Sequence, residues 1–166
     1  MIKLIRTDSD NRDFQLLVKD LDIELKERYA EGQLFYDQFN KIDMIKYVVL
    51  VYDQDKPVGC GAIKEYDEKT MEIKRMYVPL ENRGKRIASM VLQELEKWSS
   101  ELGFVKCILE TGKKQPEAIR LYEKNNYHLI PNYGQYEHAD SSVCFGKELK
   151  GGGKYFSRHV KVSPKP

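Results

Sequence analysis

The residues Met76 to Leu92, MYVPLENRGKRIASMVL, read as a strand, a polar loop and the start of a helix. The first amides of a helix have no partner within it, and the helix dipole reinforces them, so such a start binds anions. Arg83, Lys85 and Arg86 add positive charge there. Taken alone, the loop is either a phosphate cradle or a solvated basic helix start. The thiols offer less chemistry. Cys60, Cys107 and Cys144 are odd in number, far apart, and set in apolar, strand-like runs. That pattern points to buried reduced thiols, with a catalytic thiol as the rival reading. His128, His138 and His159 share no metal-ligand spacing with them, so no metal site is expected.

The elements that position the loop follow from periodicity. Lys3 to Arg6 read as a short strand, and Thr7 to Asn11 offer helix-capping side chains. Phe14, Leu17, Leu21 and Leu25 then recur at helical spacing, predicting an amphipathic helix that ends near Gly32. Tyr47 to Tyr52, Pro57 to Ile63 and Met71 to Val78 are apolar runs separated by the turn compositions Asp53–Lys56 and Tyr66–Thr70. They predict a three-stranded antiparallel meander. From Gly84 the period changes: Ile87, Met90, Val91, Leu95 and Trp98 fall on one face of a helix that stops near Gly103. Phe104 to Leu109 is the next strand, parallel to the one ending at Val78 because a crossover helix joins them. Pro116 starts a third helix with Ala118, Leu121 and Tyr122 inward. Tyr127–Ile130 and Ser142–Glu148 read as two last strands.

The composition, 41% hydrophobic and 33% charged over 166 residues, is that of a globular domain large enough to bury a core. The expected organisation is one domain over residues 1–150 and a basic tail over 151–166, set off by Gly151 to Gly153. The tail holds Lys154, Arg158, Lys161 and Lys165 and no acids, which leaves residues 1–150 with a net charge of −2. The body is therefore not a nucleic-acid surface. No apolar run approaches the roughly 18 residues of a membrane span, and no signal peptide is expected, so the membrane is excluded and a cytoplasmic location is the expectation. The partial alternation of the tail would suit pairing with a sheet edge of a second copy, as in a homodimer.

Two segments together are more specific than the loop alone. They are Glu72 to Ala88, EIKRMYVPLENRGKRIA, and Leu109 to Tyr127, LETGKKQPEAIRLYEKNNY. The chain resembles the GNAT superfamily of N-acetyltransferases, which move an acetyl group from acetyl-CoA to an amine. The resemblance runs from Lys3 to Leu149. It implies an α+β fold with a central mixed, mostly antiparallel sheet of about six to seven strands flanked by helices. It also makes acetyl-CoA the cosubstrate and a small primary amine the partner, attacked directly in a ternary complex. A protein or peptide acetyltransferase and a non-catalytic acyl-CoA sensor are the alternatives.

The resemblance also implies roles for particular residues. The backbone of Met76, Tyr77 and Val78 would pair with the pantetheine arm, with a bulge that frees an amide for the thioester carbonyl. The amides of Arg83, Gly84, Lys85, Arg86, Ile87 and Ala88, extending to Ser89, would hold the pyrophosphate. The family pattern has glycine where Arg86 stands; an amide needs no glycine unless φ is positive, so Arg86 is expected at helical φ with its side chain outward. Gln115 alone could replace the family's cofactor-contacting asparagine. Tyr122 matches the tyrosine that protonates the departing thiolate, with plain packing as the other reading. Glu72 and Glu110 match two acidic positions that act as base or orient substrate, although strand-end carboxylates also pair with Lys or Arg. The face of Glu72 is not fixed by the sequence. Tyr36, Asp37, Asn40, Tyr133 and Tyr136 are the candidates for the acceptor pocket.

Overall fold

The computed structural model describes residues 1–29 and 45–150. Tyr36, Asp37, Asn40 and the tail 151–166 lie outside the described residues. The elements, in chain order, are β1 (Ile2–Thr7), α1 (Arg12–Arg28), β2 (Tyr47–Asp53), β3 (Lys56–Asp67), β4 (Thr70–Tyr77), α2 (Ile87–Glu101), β5 (Lys106–Gly112), α3 (Pro116–Lys124), β6 (His128–Ile130) and β7 (Ser142–Glu148). Short 3-10 turns at Leu80–Asn82 and Gly134–Tyr136 complete them. The seven strands form one mixed sheet in the order β1-β2-β3-β4-β5-β7-β6, with β4 and β5 parallel. This is the α+β architecture expected from the sequence.

The chain divides into two compact units. The first comprises Met1–Lys64 and Lys74–Leu95. Here Asn11 caps α1 by accepting from the Phe14 amide at 3.0 Å. Phe14, Leu17 and Val18 from α1 pack with Val48, Leu50, Cys60 and Ala62 from β2 and β3. The helical face predicted by periodicity is therefore the buried one. Gly61 sits where α2 comes close to β3. A Cβ there would lie 2.5 Å from Met76 Sδ and 2.7 Å from a Val91 methyl.

The second unit comprises Glu65–Ile73 and the chain from Glu96 onward. The parallel register runs from Thr70↔Lys106 to Glu72↔Ile108. β7 pairs with β5 throughout, from Lys106↔Glu148 to Gly112↔Ser142, and with β6 on its other side. β5 begins and ends later than the sequence suggests, so Glu110 lies within the strand rather than after it. β3 likewise runs on to Asp67, and Tyr66 is a strand residue, not part of the turn.

All three cysteines are free and buried, as expected. Burial pushes the Cys60 and Cys107 thiols up to about 12 and that of Cys144 up to about 11. They are poor nucleophiles at neutral pH.

The close approach at Gly61 gives the first prediction. Gly61→Ala should lower stability by about 1–3 kcal/mol in urea unfolding, because Met76 and Val91 must shift. An unchanged midpoint would mean that α2 is not seated this tightly.

Candidate active site

The basic loop belongs to the first unit and is shaped by left-handed backbone. Gly84 has φ +81, and a Cβ there would meet nothing within 4 Å, so the glycine serves conformation and not space. Arg86 has φ +65. This corrects the expected helical φ: Arg86 adopts the geometry usually given to glycine, at a cost of about 1–2 kcal/mol. Its side chain is exposed, as expected. The residue ends the loop and starts α2, whose first helical bond is Met90 N–H to Arg86 C=O at 3.1 Å.

Arg83 is used differently from the expectation. Its amide donates to Leu80 C=O at 3.2 Å, closing the 3-10 turn. Its guanidinium donates to Val78 C=O and to Glu24, both at 2.8 Å, and lies over the Tyr77 ring at 5.8 Å. Arg83 therefore braces the loop, and the run of amides without a backbone acceptor starts at Gly84. Among the described residues, the amides of Gly84, Lys85, Arg86, Ile87 and Ala88 meet no backbone acceptor. Such a row of donors with exposed Lys85 and Arg86 fits a pyrophosphate.

Upstream of the loop, Arg75 has φ +58 inside β4. A left-handed residue within a strand breaks its alternation, as a bulge does. The family-implied bulge thus has a local basis immediately before Met76, which sequence reasoning missed because arginine gives no signal for left-handed backbone. The Arg75 side chain is only 2% exposed and reaches Asp22 of α1 at 2.6 Å. Its carbonyl accepts from the Cys60 thiol at 3.4 Å.

The second unit holds the acid–base candidates. Glu72 is opposite Ile108 across the parallel pair, and Glu110 lies two residues further along β5. Side chains alternate in a strand, so the two carboxylates share one face. Cys144 and Ser142 join them, being opposite Glu110 and Gly112. Glu72 is 8% exposed and accepts from the Tyr133 hydroxyl at 2.6 Å. Glu110 accepts from the Ser142 hydroxyl at 2.6 Å. Tyr133 and Tyr136 stack edge to face, 5.8 Å between centroids, and Tyr66 closes on Tyr133 at 5.2 Å. Burial and then the charge of Glu72 push the Tyr133 phenol well above its ordinary range. Burial, Glu110 and Glu72 do the same to Tyr136. The structure so gathers Glu72, Glu110, Tyr133 and Tyr136. Tyr66, Ser142 and Cys144 join the cluster without having been singled out for it; the register of β7 on β5, which no local pattern fixes, brings in the last two.

Tyr122 approaches from the other face. Its ring packs on Tyr127 at 5.8 Å and on Phe145 at 6.2 Å, and Phe145 is opposite Leu109, not Glu110. Burial and then the Glu110 charge push its phenol upward, so it keeps its proton through the neutral range. Gln115 is half-buried at the start of α3, and its side chain makes no capping bond to the helix.

A mixed sheet interrupted by this strand, loop and helix turn defines the acyl-CoA N-acyltransferase fold. The comparisons agree. Residues 11–127 match the Acetyltransferase (GNAT) family, and the chain belongs to it. It is 31% identical over 100 residues to the uncharacterized N-acetyltransferase YsnE of Bacillus subtilis, covering 59% of this chain and 66% of that one. It is 36% identical over 93 residues to an IAA acetyltransferase of Azospirillum brasilense, covering 55% and 61%. The chain thus spans somewhat under two thirds of these two relatives. Among solved structures, a candidate acyl-CoA N-acyltransferase from Klebsiella pneumoniae superposes with a TM-score of 0.76 at 24% identity, over 90% of this chain and 98% of that one. PaiA N-acetyltransferase from Thermoplasma acidophilum, in complex with coenzyme A, gives 0.66 at 18% identity, over 89% and 99%. At these identities the likeness is one of fold. No helix of the described residues is long and apolar enough to cross a membrane.

The strain at Arg86 is testable. Arg86→Gly should leave stability unchanged or raise it by up to about 1 kcal/mol, whereas Arg86→Val should lower it. A clear loss of stability in the glycine variant would show that φ is not left-handed there.

Proposed function

We propose that this chain is an acetyl-CoA-dependent N-acetyltransferase that acts on the primary amine of a small or amino-acid-like acceptor. The observation that carries the reading is the pair Glu72 and Glu110 on one sheet face, walled by Tyr133 and Tyr136. Family membership supports the acetyl donor; the acidic, aromatic surroundings support a cationic acceptor.

The residues divide the work. The amides from Gly84 to Ala88, with Lys85 and Arg86, hold the pyrophosphate, and Ser89 and Gln115 are further candidate cofactor contacts. The backbone of Met76 to Val78 aligns the pantetheine arm and offers a donor to the oxygen of the thioester carbonyl as charge develops there. Bound acetyl-CoA supplies the activated acyl group. An alkyl ammonium must lose a proton before its nitrogen can attack, and Glu72 or Glu110 takes that proton directly or through water. The nitrogen forms the new bond to the carbonyl carbon, the carbon–sulfur bond breaks, Tyr122 gives its proton to the sulfur, and the second proton that the nitrogen sheds on becoming an amide returns Tyr122 to the phenol form through water.

Thiol release over a panel of amines and peptides tests the reading. Turnover is expected with small cationic amines. Turnover on peptides alone would favour protein acetylation, and acetyl-CoA binding without turnover on any acceptor would favour a sensor. With an acceptor in hand, Tyr122→Phe should lower kcat by roughly 100-fold and leave acetyl-CoA affinity nearly unchanged. Because the Tyr122 phenol is pushed upward, any fall in kcat from its ionisation should come only above about pH 10. An unchanged kcat in the variant would remove Tyr122 from the chemistry.

A further inference from the structure

β4 carries an arginine at the point where its alternation fails. Arg75 has φ +58, and its side chain is 2% exposed. A guanidinium cannot be deprotonated in a protein, so a buried one needs a compensating acceptor. That acceptor comes from α1: Arg75 Nη2 donates to Asp22 Oδ1 at 2.6 Å. Arg75 Nε is buried and meets no acceptor among the described residues. The Arg75 carbonyl accepts from the Cys60 thiol at 3.4 Å, and burial pushes that thiol up to about 12, which keeps it a donor. Arg75 is thus held through its side chain from α1 and through its main chain from β3.

A left-handed φ at a residue with a Cβ persists only where its surroundings over-determine it. Returning Arg75 to extended backbone would redirect its side chain. A buried guanidinium would then lose its carboxylate, which is strongly unfavourable. The ion pair therefore opposes relaxation of the break. Met76 to Val78 follow directly, and α1 reaches that stretch from its other end as well. Glu24 accepts from Arg83 at 2.8 Å, and Arg83 Nε donates to Val78 C=O at 2.8 Å. The stretch is bracketed by contacts to two carboxylates of one helix.

We propose that Asp22 and Arg75 are positioning residues whose ion pair holds the break in β4 in the shape from which Met76 to Val78 donate to the thioester carbonyl of acetyl-CoA. The proposal rests on the reading of Met76 to Val78 as the stretch that faces the thioester. It adds α1 to the elements that set the reaction geometry. It also accounts for arginine in left-handed backbone: glycine adopts that dihedral freely but has no side chain for α1 to hold. Both residues act through the backbone.

The test uses acetyl-CoA labelled with carbon-13 at the carbonyl, bound to the full chain without acceptor. A hydrogen bond donated to the carbonyl oxygen moves that resonance downfield, and such a displacement is expected on binding to the unaltered chain. Asp22→Ala should remove about half of it or more, while acetyl-CoA affinity changes by less than about threefold. Asp22→Asn keeps one acceptor oxygen and should lose less, which covers the case in which Asp22→Ala does not fold. Arg75→Gly should keep more of the displacement than Asp22→Ala does, since glycine takes positive φ without a tether. Adding Asp22→Ala to Arg75→Gly should then change nothing further. A displacement unchanged in the folded Asp22 variants would overturn the positioning role. No displacement in the unaltered chain would overturn the thioester reading, and the proposal with it, so the two failures are told apart by that one spectrum. With an acceptor in hand, Asp22→Ala should lower kcat by roughly tenfold at nearly constant KM for acetyl-CoA, because a misplaced donor is missed in the transition state. A change in KM alone would count against the role.

Discussion

The chemistry of this chain depends on how one strand ends. β4 carries Glu72 in regular register, breaks at the left-handed Arg75, and passes at Val78 into a loop that turns through Gly84 and Arg86. Each break is held by a named contact. Arg75 is anchored by Asp22 and by the Cys60 thiol on its carbonyl. The loop is closed by Arg83, which ties Val78 to Glu24. A positive φ at a non-glycine residue costs free energy, and strain of this kind persists where its surroundings over-determine it. Two arginines in that state on either side of the loop mark it as a shape the fold maintains.

The division of labour between side chain and backbone follows from that shape. Phosphate binding needs amides more than cations, and a helix start supplies amides in a row. Arg83 serves as a brace, while Arg86 and Lys85 remain exposed. The acid–base groups use the opposite strategy. Glu72 is buried and Glu110 half-buried, and each accepts from a hydroxyl, Tyr133 on Glu72 and Ser142 on Glu110.

Much of this was legible in the sequence. The helical period of Phe14 to Leu21, the capping residue Asn11, Pro116 at a helix start and the parallel strand after α2 all follow from local rules. The loop and the Leu121 to Lys124 segment carried the family. What the sequence hid is conformational. Arg86 was misjudged because an amide is present at either sign of φ, so the chemistry does not report the dihedral. Glu110 was placed beyond its strand because a lone acid at the end of an apolar run resembles a terminator. The shared face of Glu72 and Glu110 depends on the register of two strands distant in sequence, and no local pattern fixes register. The contact of Tyr133 with Glu72 joins positions far apart in the chain, which composition cannot reveal.

The thiols give the account its most direct test. Cys60, Cys107 and Cys144 are buried and protonated, so no acetyl-cysteine intermediate is expected, and the amine must attack the thioester itself. Initial rates measured while acetyl-CoA and the acceptor amine are both varied decide the matter. Direct attack in a ternary complex predicts intersecting double-reciprocal lines and no acetylated protein when the amine is withheld. Parallel lines, with an acetyl group recovered on the enzyme, would contradict it.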